Sequence, residues 1–339
     1  MSIATVSAVI NQTRFVSADA KRRVEDAIAS TGYRPNRLAQ SLSTRTTKTV
    51  GILMPTILSP VSPALLKSAT DVLRAHGYSV LFANSEMRST WETEATELMF
   101  DSQVAGLLVV PAGGESPALE LFRKAGKPVV LMLHGLKTAH GHDVIRSGNF
   151  KGSMDAVTHL IDQGCRRVAV LALPSDTESE EERLAGYRAA IGAAGLDLDP
   201  DLVRVGEPSE SGTSEEHGYE QTRRLMALPA PPDGIFAMNQ YMAIGSLTAL
   251  KELGVRVPDD VALVGYDDLI WTRHLEPPLS VVSQQIEAIG RIAATHLIHR
   301  LTHDGEPEPT ESITVDAQFV IRASSDRKTT TTTRERNPT

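Results

Sequence analysis

Residues 49–83 read TVGILMPTILSPVSPALLKSATDVLRAHGYSVLFA. They open on an apolar run, TVGILM (49–54). Val61, Leu65, Leu66, Ala69 and Leu73 follow at helical spacing over 61–76, and then comes a second apolar run, YSVLFA (78–83). Runs that are apolar throughout, rather than at alternate positions, belong to strands covered on both faces, as in parallel sheets. The cycle repeats as a helix over 90–101, AGLLVVP (105–111), a helix over 116–125 and PVVLML (128–133). It resumes beyond polar loops near 135–147 with a helix over 150–163, RVAVLAL (167–173), helices over 180–194 and 215–227, GIFAM (234–238), a helix over 241–253 and VALVGY (261–266). Strands alternating with helices in two series predict an α/β protein of two lobes, each built on a parallel sheet.

The length of 339 residues suits two domains. With 41% apolar and 22% charged residues, the chain is neither wholly disordered, nor collagen-like, nor a membrane bundle. No run approaches the roughly 18 apolar residues of a spanning helix. MSIATVSAVI lacks the basic region and cleavage site of a signal peptide. Cys165 is the only cysteine, which excludes an intrachain disulfide and a cysteine-based zinc cluster. A cytoplasmic protein without a membrane partner is expected.

Charge is unevenly placed. The net charge is −8, yet residues 1–48 hold eight basic against three acidic residues, a head of +5 on a body of −13. Phosphate binding is one reason for a basic head and a solvated arm is the other. The head is helical in pattern and has no strand. Thr5, Val6, Val9 and Ile10 stripe one short helix. Ser17 is placed to cap a second, on which Ala20, Val24, Ala27 and Ile28 face one way and Lys21, Arg22 and Arg23 the other. Leu38, Ala39 and Leu42 stripe a third, RLAQSL.

TVSAVINQTRFVSADAKRRVEDAIASTGYRPNRLAQSL (5–42) resembles the DNA-binding region of the lactose/galactose repressor family. GYDD (265–268), PPLSVVSQ (277–284), RLAGY (183–187) and NQYMA (239–243) resemble that family's effector domain, so the likeness runs from residue 1 to about 322. It implies an all-α helix-turn-helix head with a hinge helix (1–44), then a two-lobed, periplasmic-binding-protein-like (type I) ligand-binding and dimerisation domain (45–322). Lobe one would comprise 49–147 and 286–306, and lobe two 148–283 and 307–322, joined by three crossovers. Residues 323–339 have almost no apolar content and are expected to be disordered.

By the same resemblance Ile3, Ala4 and Ala8 would face bases in the major groove, while Ser2, Thr5, Ser7 and Asn11 would contact phosphates. Tyr33, Asn36, Arg37 and Ala39 join the DNA-contacting set, and Leu42 matches the leucine that wedges into the minor groove. A small helix packing on the body is the lesser, alternative reading of Leu38 and Leu42. The chain begins inside what should be the second helix of the motif. A longer gene product, extended upstream by roughly 14 residues that encode an amphipathic helix and a turn, is expected.

In the cleft, the resemblance implies ligand contacts from Arg183, Asn239, Asp268 and Gln284, with Phe150 as an apolar wall and Gln240 and His134 at further ligand positions. Arg183 would donate paired hydrogen bonds; a salt bridge at a helix start is its other reading. Gln240 stands where an aspartate is common, Leu133-His134 replaces an Asp-Arg pair, Gly148 replaces another aspartate, and Ser59-Pro60-Val61-Ser62 replaces Asn-Pro followed by aromatics. Several hydroxyl acceptors and stacking rings are therefore gone. A modified, sugar-derived or acidic effector, or a lost response, fits better than a plain neutral hexose. Tyr266 either supplies a missing ring or packs at a strand end.

The expected function is a ligand-responsive transcriptional regulator, a repressor, acting on operator DNA as a homodimer. Its rival is a cytoplasmic solute-binding protein of the same fold that has lost DNA binding. An enzyme is the poorest reading: no GxxxxGKS/T or GxSxG motif occurs, and the adjacent Asp267 and Asp268 diverge. No cofactor is expected. His134, His140 and His142 could ligate zinc, but a solvated loop is the preferred reading, so no metal is expected.

Overall fold

A computed structural model of the chain describes residues 2, 5, 6, 8, 9, 15–32, 47–113, 116–136, 141–174, 178–206, 213–306 and 308–327. The chain divides into two compact units, Met1–Thr47 and Lys48–Thr339.

In the first unit, residues 5, 6, 8 and 9 are helical. Helix α1 spans Ala18–Thr31. The Ser17 hydroxyl caps it by accepting from the Ala20 N–H, and Gly32 ends it in the left-handed conformation (φ 62°) that a residue without Cβ adopts freely. Val24 is buried, whereas Lys21, Arg22 and Arg23 are exposed, as the apolar stripe predicts. Ala27, expected on the buried face, is exposed.

The second unit carries two six-stranded sheets. Its elements are β1 (Thr49–Met54), α2 (Ser62–Ala75), β2 (Ser79–Asn84), α3 (Ser89–Asp101), β3 (Leu107–Val109), α4 (Leu119–Lys124), β4 (Val129–Leu133) and β5 (Asp143–Ser147). There follow α5 (Asn149–Asp162), β6 (Val168–Ala172), α6 (Glu178–Ala193), β7 (Val203–Val205), α7 (Ser214–Met226), β8 (Gly234–Ala237), α8 (Gln240–Glu252), β9 (Ala262–Tyr266), β10 (Ser280–Ser283), α9 (Ile286–Thr302), β11 (Ser312–Val315) and β12 (Gln318–Val320). The first sheet has the order β11-β5-β4-β3-β1-β2 and is parallel throughout. The second has the order β12-β10-β9-β8-β6-β7 and is parallel except for the antiparallel β10–β12 pair. β6, β8 and β9 are buried at every position, the signature of strands with helices on both faces.

The segment read as polar loop near 135–147 contains a strand. β5 carries Asp143 and Arg146, and its charges are answered from afar: Arg300 on α9 grips the buried Asp143 through Nε (2.9 Å) and Nη2 (2.8 Å). The lobe boundaries also shift. Residues 312–315, expected in lobe two, pair with β5 in the first sheet, so the chain makes its last crossing at Asp316-Ala317. The two earlier crossings lie at Gly148 and at Gln284-Gln285. Crossings meet closely: the Gly148 N–H donates to Val315 O (2.9 Å), and a Cβ on Gly148 would stand 3.2 Å from the Ala317 nitrogen.

The expectation of disorder from 323 onward fails for 323–327. Ser324 and Ser325 are fully buried, because the Ser324 hydroxyl donates to Leu263 O (2.7 Å) and accepts from Ser280 N (2.8 Å). Arg327 donates to the carbonyls of Pro258 and Asp233. Hydrogen bonds tie these polar residues down. The remainder of that segment, 328–339, lies outside the described residues. Among the described residues no helix is long and apolar enough to cross a membrane.

Candidate functional site

A cleft enclosing about 650 Å³ of space open to solvent lies where the two sheets face each other. Met54, Val110, Leu133 and His134, at or just beyond the carboxyl ends of β1, β3 and β4, line one side. Ser179 and Arg183 from α6 and Gln284 at the crossing line the other. The carboxyl ends of parallel strands are where open α/β sheets take ligands.

Arg183 is buried at 7% exposure and is held from several directions. Its Nε donates to Asn149 Oδ1 (3.1 Å) and its Nη1 to Met238 O (2.7 Å). Glu180 lies 3.6 Å from Nη1, and the Tyr266 ring packs 3.7 Å beneath the guanidinium. Burial opposes the charge, but Tyr266, Glu180 and Asp267 outweigh it and keep the guanidinium protonated. Gly186, one turn on, makes this reach possible. A Cβ there would stand 2.3 Å from Phe150 O, so only glycine lets α6 lie this close to α5.

Asn149, which carries no sequence signal of its own between Gly148 and Phe150, is the hub of this network. Its Oδ1 accepts from Arg183 and from the Tyr266 hydroxyl (3.0 Å), and its Nδ2 donates to Ser147 O and Glu182 Oε2 (both 3.2 Å). Both readings of Tyr266 meet here, since it is fully buried at a strand end and also presents its ring to Arg183. Burial pushes its hydroxyl up to about 12.

Asp268, expected at the ligand, is engaged elsewhere and does not line the cleft. Asp268 faces Arg322, which forks onto both its oxygens (2.7 and 2.9 Å), and it also accepts from Thr272 and Arg273. Burial opposes its charge, but these donors hold its carboxyl below the usual range. Asp267 is the carboxylate beside Arg183 and Gln284. Gln284 Nε2 donates to its Oδ1 (2.7 Å), and burial raises its pKa against the opposing pull of Arg183. Glu180 is likewise raised by burial and opposed by Arg183. Asp267 has φ 68° and Leu133 has φ 70°, two side-chain-bearing residues in the left-handed region at the cleft ends of their strands. Strain of this kind collects at ligand sites.

His134 lines the cleft with its pKa lowered by burial, and its Nδ1 lies 3.1 Å from Gly135 O. A neutral ring that donates through Nδ1 keeps Nε2 as an acceptor. Besides Asp268, three more expected residues do not line the cleft. The Asn239 side chain caps α8 by accepting from Met242 N (2.9 Å), Gln240 is buried in the first turn of that helix, and Phe150 is 45% exposed at the start of α5. The lobes are also bridged beside the cleft: Arg146 on β5 reaches Glu178 and Glu182 on α6, at 3.2 Å each. Of the histidine trio, His140 lies outside the described residues.

In the head, the Ser2 hydroxyl accepts from Thr5 N (3.2 Å) and pairs with the Thr5 hydroxyl (2.9 Å), so it caps the first helical turn. Ala8, expected to face bases, is buried at 3% exposure. Ile3, Ala4, Ser7, Asn11, Tyr33, Asn36, Arg37, Ala39 and Leu42 lie outside the described residues.

Residues 1–36 match the model of bacterial regulatory proteins of the lacI family, and residues 157–325 match that of a periplasmic-binding-protein-like domain. The chain is 31% identical to the HTH-type transcriptional repressor PurR of Pasteurella multocida over 327 residues, which is 96% of this chain and 95% of that one. It is 32% identical to the ribose operon repressor of Escherichia coli over 302 residues, 89% of this chain and 90% of that one. The fold matches a solved lac repressor dimer bound to operator and an anti-inducer with a TM-score of 0.82, at 24% identity and 96% coverage of each chain. The match at residues 1–36 sets aside the rival reading of a solute-binding protein without a DNA-binding head. The chain therefore belongs to the lacI family of bacterial regulatory proteins, as a DNA-binding transcriptional regulator whose head is followed in sequence by a periplasmic-binding-protein-like domain.

Proposed function

We propose that the protein is a cytoplasmic, homodimeric repressor, with no enzymatic role, whose affinity for operator DNA changes when a sugar or sugar-derived metabolite binds between the lobes. The observation that carries this is the buried Arg183, held by Asn149 and Tyr266 at the wall of a cleft that both sheets line. Arg183 supplies donors. Gln284, Asp267 and the Nε2 of His134 supply acceptors suited to hydroxyl groups. Arg146 with Glu178 and Glu182 spans the lobes, so a ligand that changes their separation acts on a contact already in place. In this reading Ser2, Thr5, Ser7 and Asn11 would contact phosphates, Ile3 and Ala4 would meet bases, and Leu42 would wedge into the minor groove, as the family resemblance implies.

The test is a thermal-shift screen of pentoses, hexoses, sugar acids and sugar phosphates, followed by a gel-shift assay on operator DNA with and without the hit. A ligand at a hundred times its Kd stabilises the folded state by about 2.7 kcal/mol. The shift should vanish in Arg183→Ala. A hit that binds Arg183→Ala as well as wild type, or that leaves operator affinity unchanged, would overturn the reading.

A further inference from the structure

We propose that His299, His303 and Glu308 form a binding site for a divalent transition-metal ion of the zinc, nickel or copper class, on the first lobe and separate from the cleft. His299 is in the last turn of α9, and His303 is the residue that ends it. Four residues apart, they stand one above the other, with ring centroids 5.7 Å apart. The loop that follows brings Glu308 back to them. His299 Nε2 lies 3.0 Å from Glu308 Oε2, and His303 Nδ1 lies 3.7 Å from Glu308 Oε1. One ligand atom from each of the three falls within 4.8 Å of the others. A tetrahedral ion with bonds of about 2.0–2.1 Å keeps its ligand atoms about 3.3 Å apart, so side-chain rotation alone closes the set.

Two further features prepare the site. Arg300 donates through Nη1 to Glu308 Oε2 (2.9 Å) and is itself fixed by Asp143 and by Pro309 O (2.6 Å). Such a partner orients a ligating carboxylate from behind. Oε1 remains turned toward His303. Gly305 makes room for the second ring, because a Cβ there would stand 2.4 Å from His303 Nε2. Two imidazoles and one carboxylate select the zinc class over magnesium or calcium, which take oxygen ligands. The side chains are 54%, 33% and 32% exposed, so an ion would keep a water-facing position. A bound ion would tie the end of α9 to the segment entering β11, the edge strand of the first sheet.

The experiment is calorimetric titration of the chelator-treated full chain with Zn²⁺, with the visible absorption of added Co²⁺ as a second readout. Wild type should bind one equivalent and give the intense spectrum of a tetrahedral site. His299→Ala and His303→Ala should each weaken binding about tenfold or more, and His142→Asn should leave it unchanged. Glu308→Gln retains an acceptor for Arg300, so weaker binding at an unchanged unfolding temperature marks ligation rather than structural support. Absence of Zn²⁺ binding to wild type, or undiminished binding to the His299→Ala/His303→Ala double variant, would overturn the proposal.

Discussion

Replacing Arg183 by Met keeps a long unbranched side chain but removes the charge and every donor. Met238 O and Asn149 Oδ1 then each lose a hydrogen bond, and Glu180 and Asp267 lose the cation that offsets their burial. A hydrogen bond to a charged group contributes about 1.5–3 kcal/mol, and breaking a buried charge pair costs about 3–5 kcal/mol. With two such bonds and two acids affected, the variant should lose about 3–5 kcal/mol in urea unfolding followed by circular dichroism. The loss should also depend on pH. Burial has raised the pKa of both acids, and without Arg183 they rise further. A group that binds its proton more tightly folded than unfolded withdraws stability as pH rises above its unfolded value, which is about 4 for a carboxylate. The gap between variant and wild type should therefore be smallest near about pH 4 and widen toward neutrality. A gap below about 1 kcal/mol at neutral pH, or one that does not change with pH, would show that Arg183 is not the counter-charge of this site.

Gly186→Ala puts a methyl 2.3 Å from Phe150 O and 3.0 Å from Met154 N, backbone atoms that yield only if α5 and α6 separate. It should cost about 1–3 kcal/mol in chemical unfolding and weaken effector binding together with it. Ser324→Val strands Leu263 O and Ser280 N and should lower stability by about 1–3 kcal/mol, whereas a truly disordered residue would tolerate it without change. Cys165 is fully buried, and burial pushes its thiol up to about 11. Iodoacetamide at mildly alkaline pH should label it only after unfolding, and prompt labelling of the native protein would contradict that burial.

The apolar runs at 49–54, 128–133, 167–173 and 261–266 make the parallel sheets legible in the sequence, because a strand covered on both faces is apolar nearly throughout. The resemblance of RLAGY and of residues 5–42 to a repressor family likewise points to Arg183 and to DNA, where the basic charge of the head alone leaves a solvated arm equally open. β5 escaped notice because Asp143 looks like a surface residue until Arg300, 157 positions away, is beside it. Asn149 carries no local mark of its role, since its partners Arg183, Glu182 and Tyr266 come from α6 and β9. Asp267 and Asp268 are chemically identical neighbours. Only the backbone turn at φ 68° and the placement of Arg322 decide which carboxylate stands beside Arg183 and Gln284 and which closes an ion pair. Local pattern records how often a position meets solvent, and so it reveals strands and helices. Which polar groups meet depends on contacts distant in sequence, and these exist only once both sheets have formed.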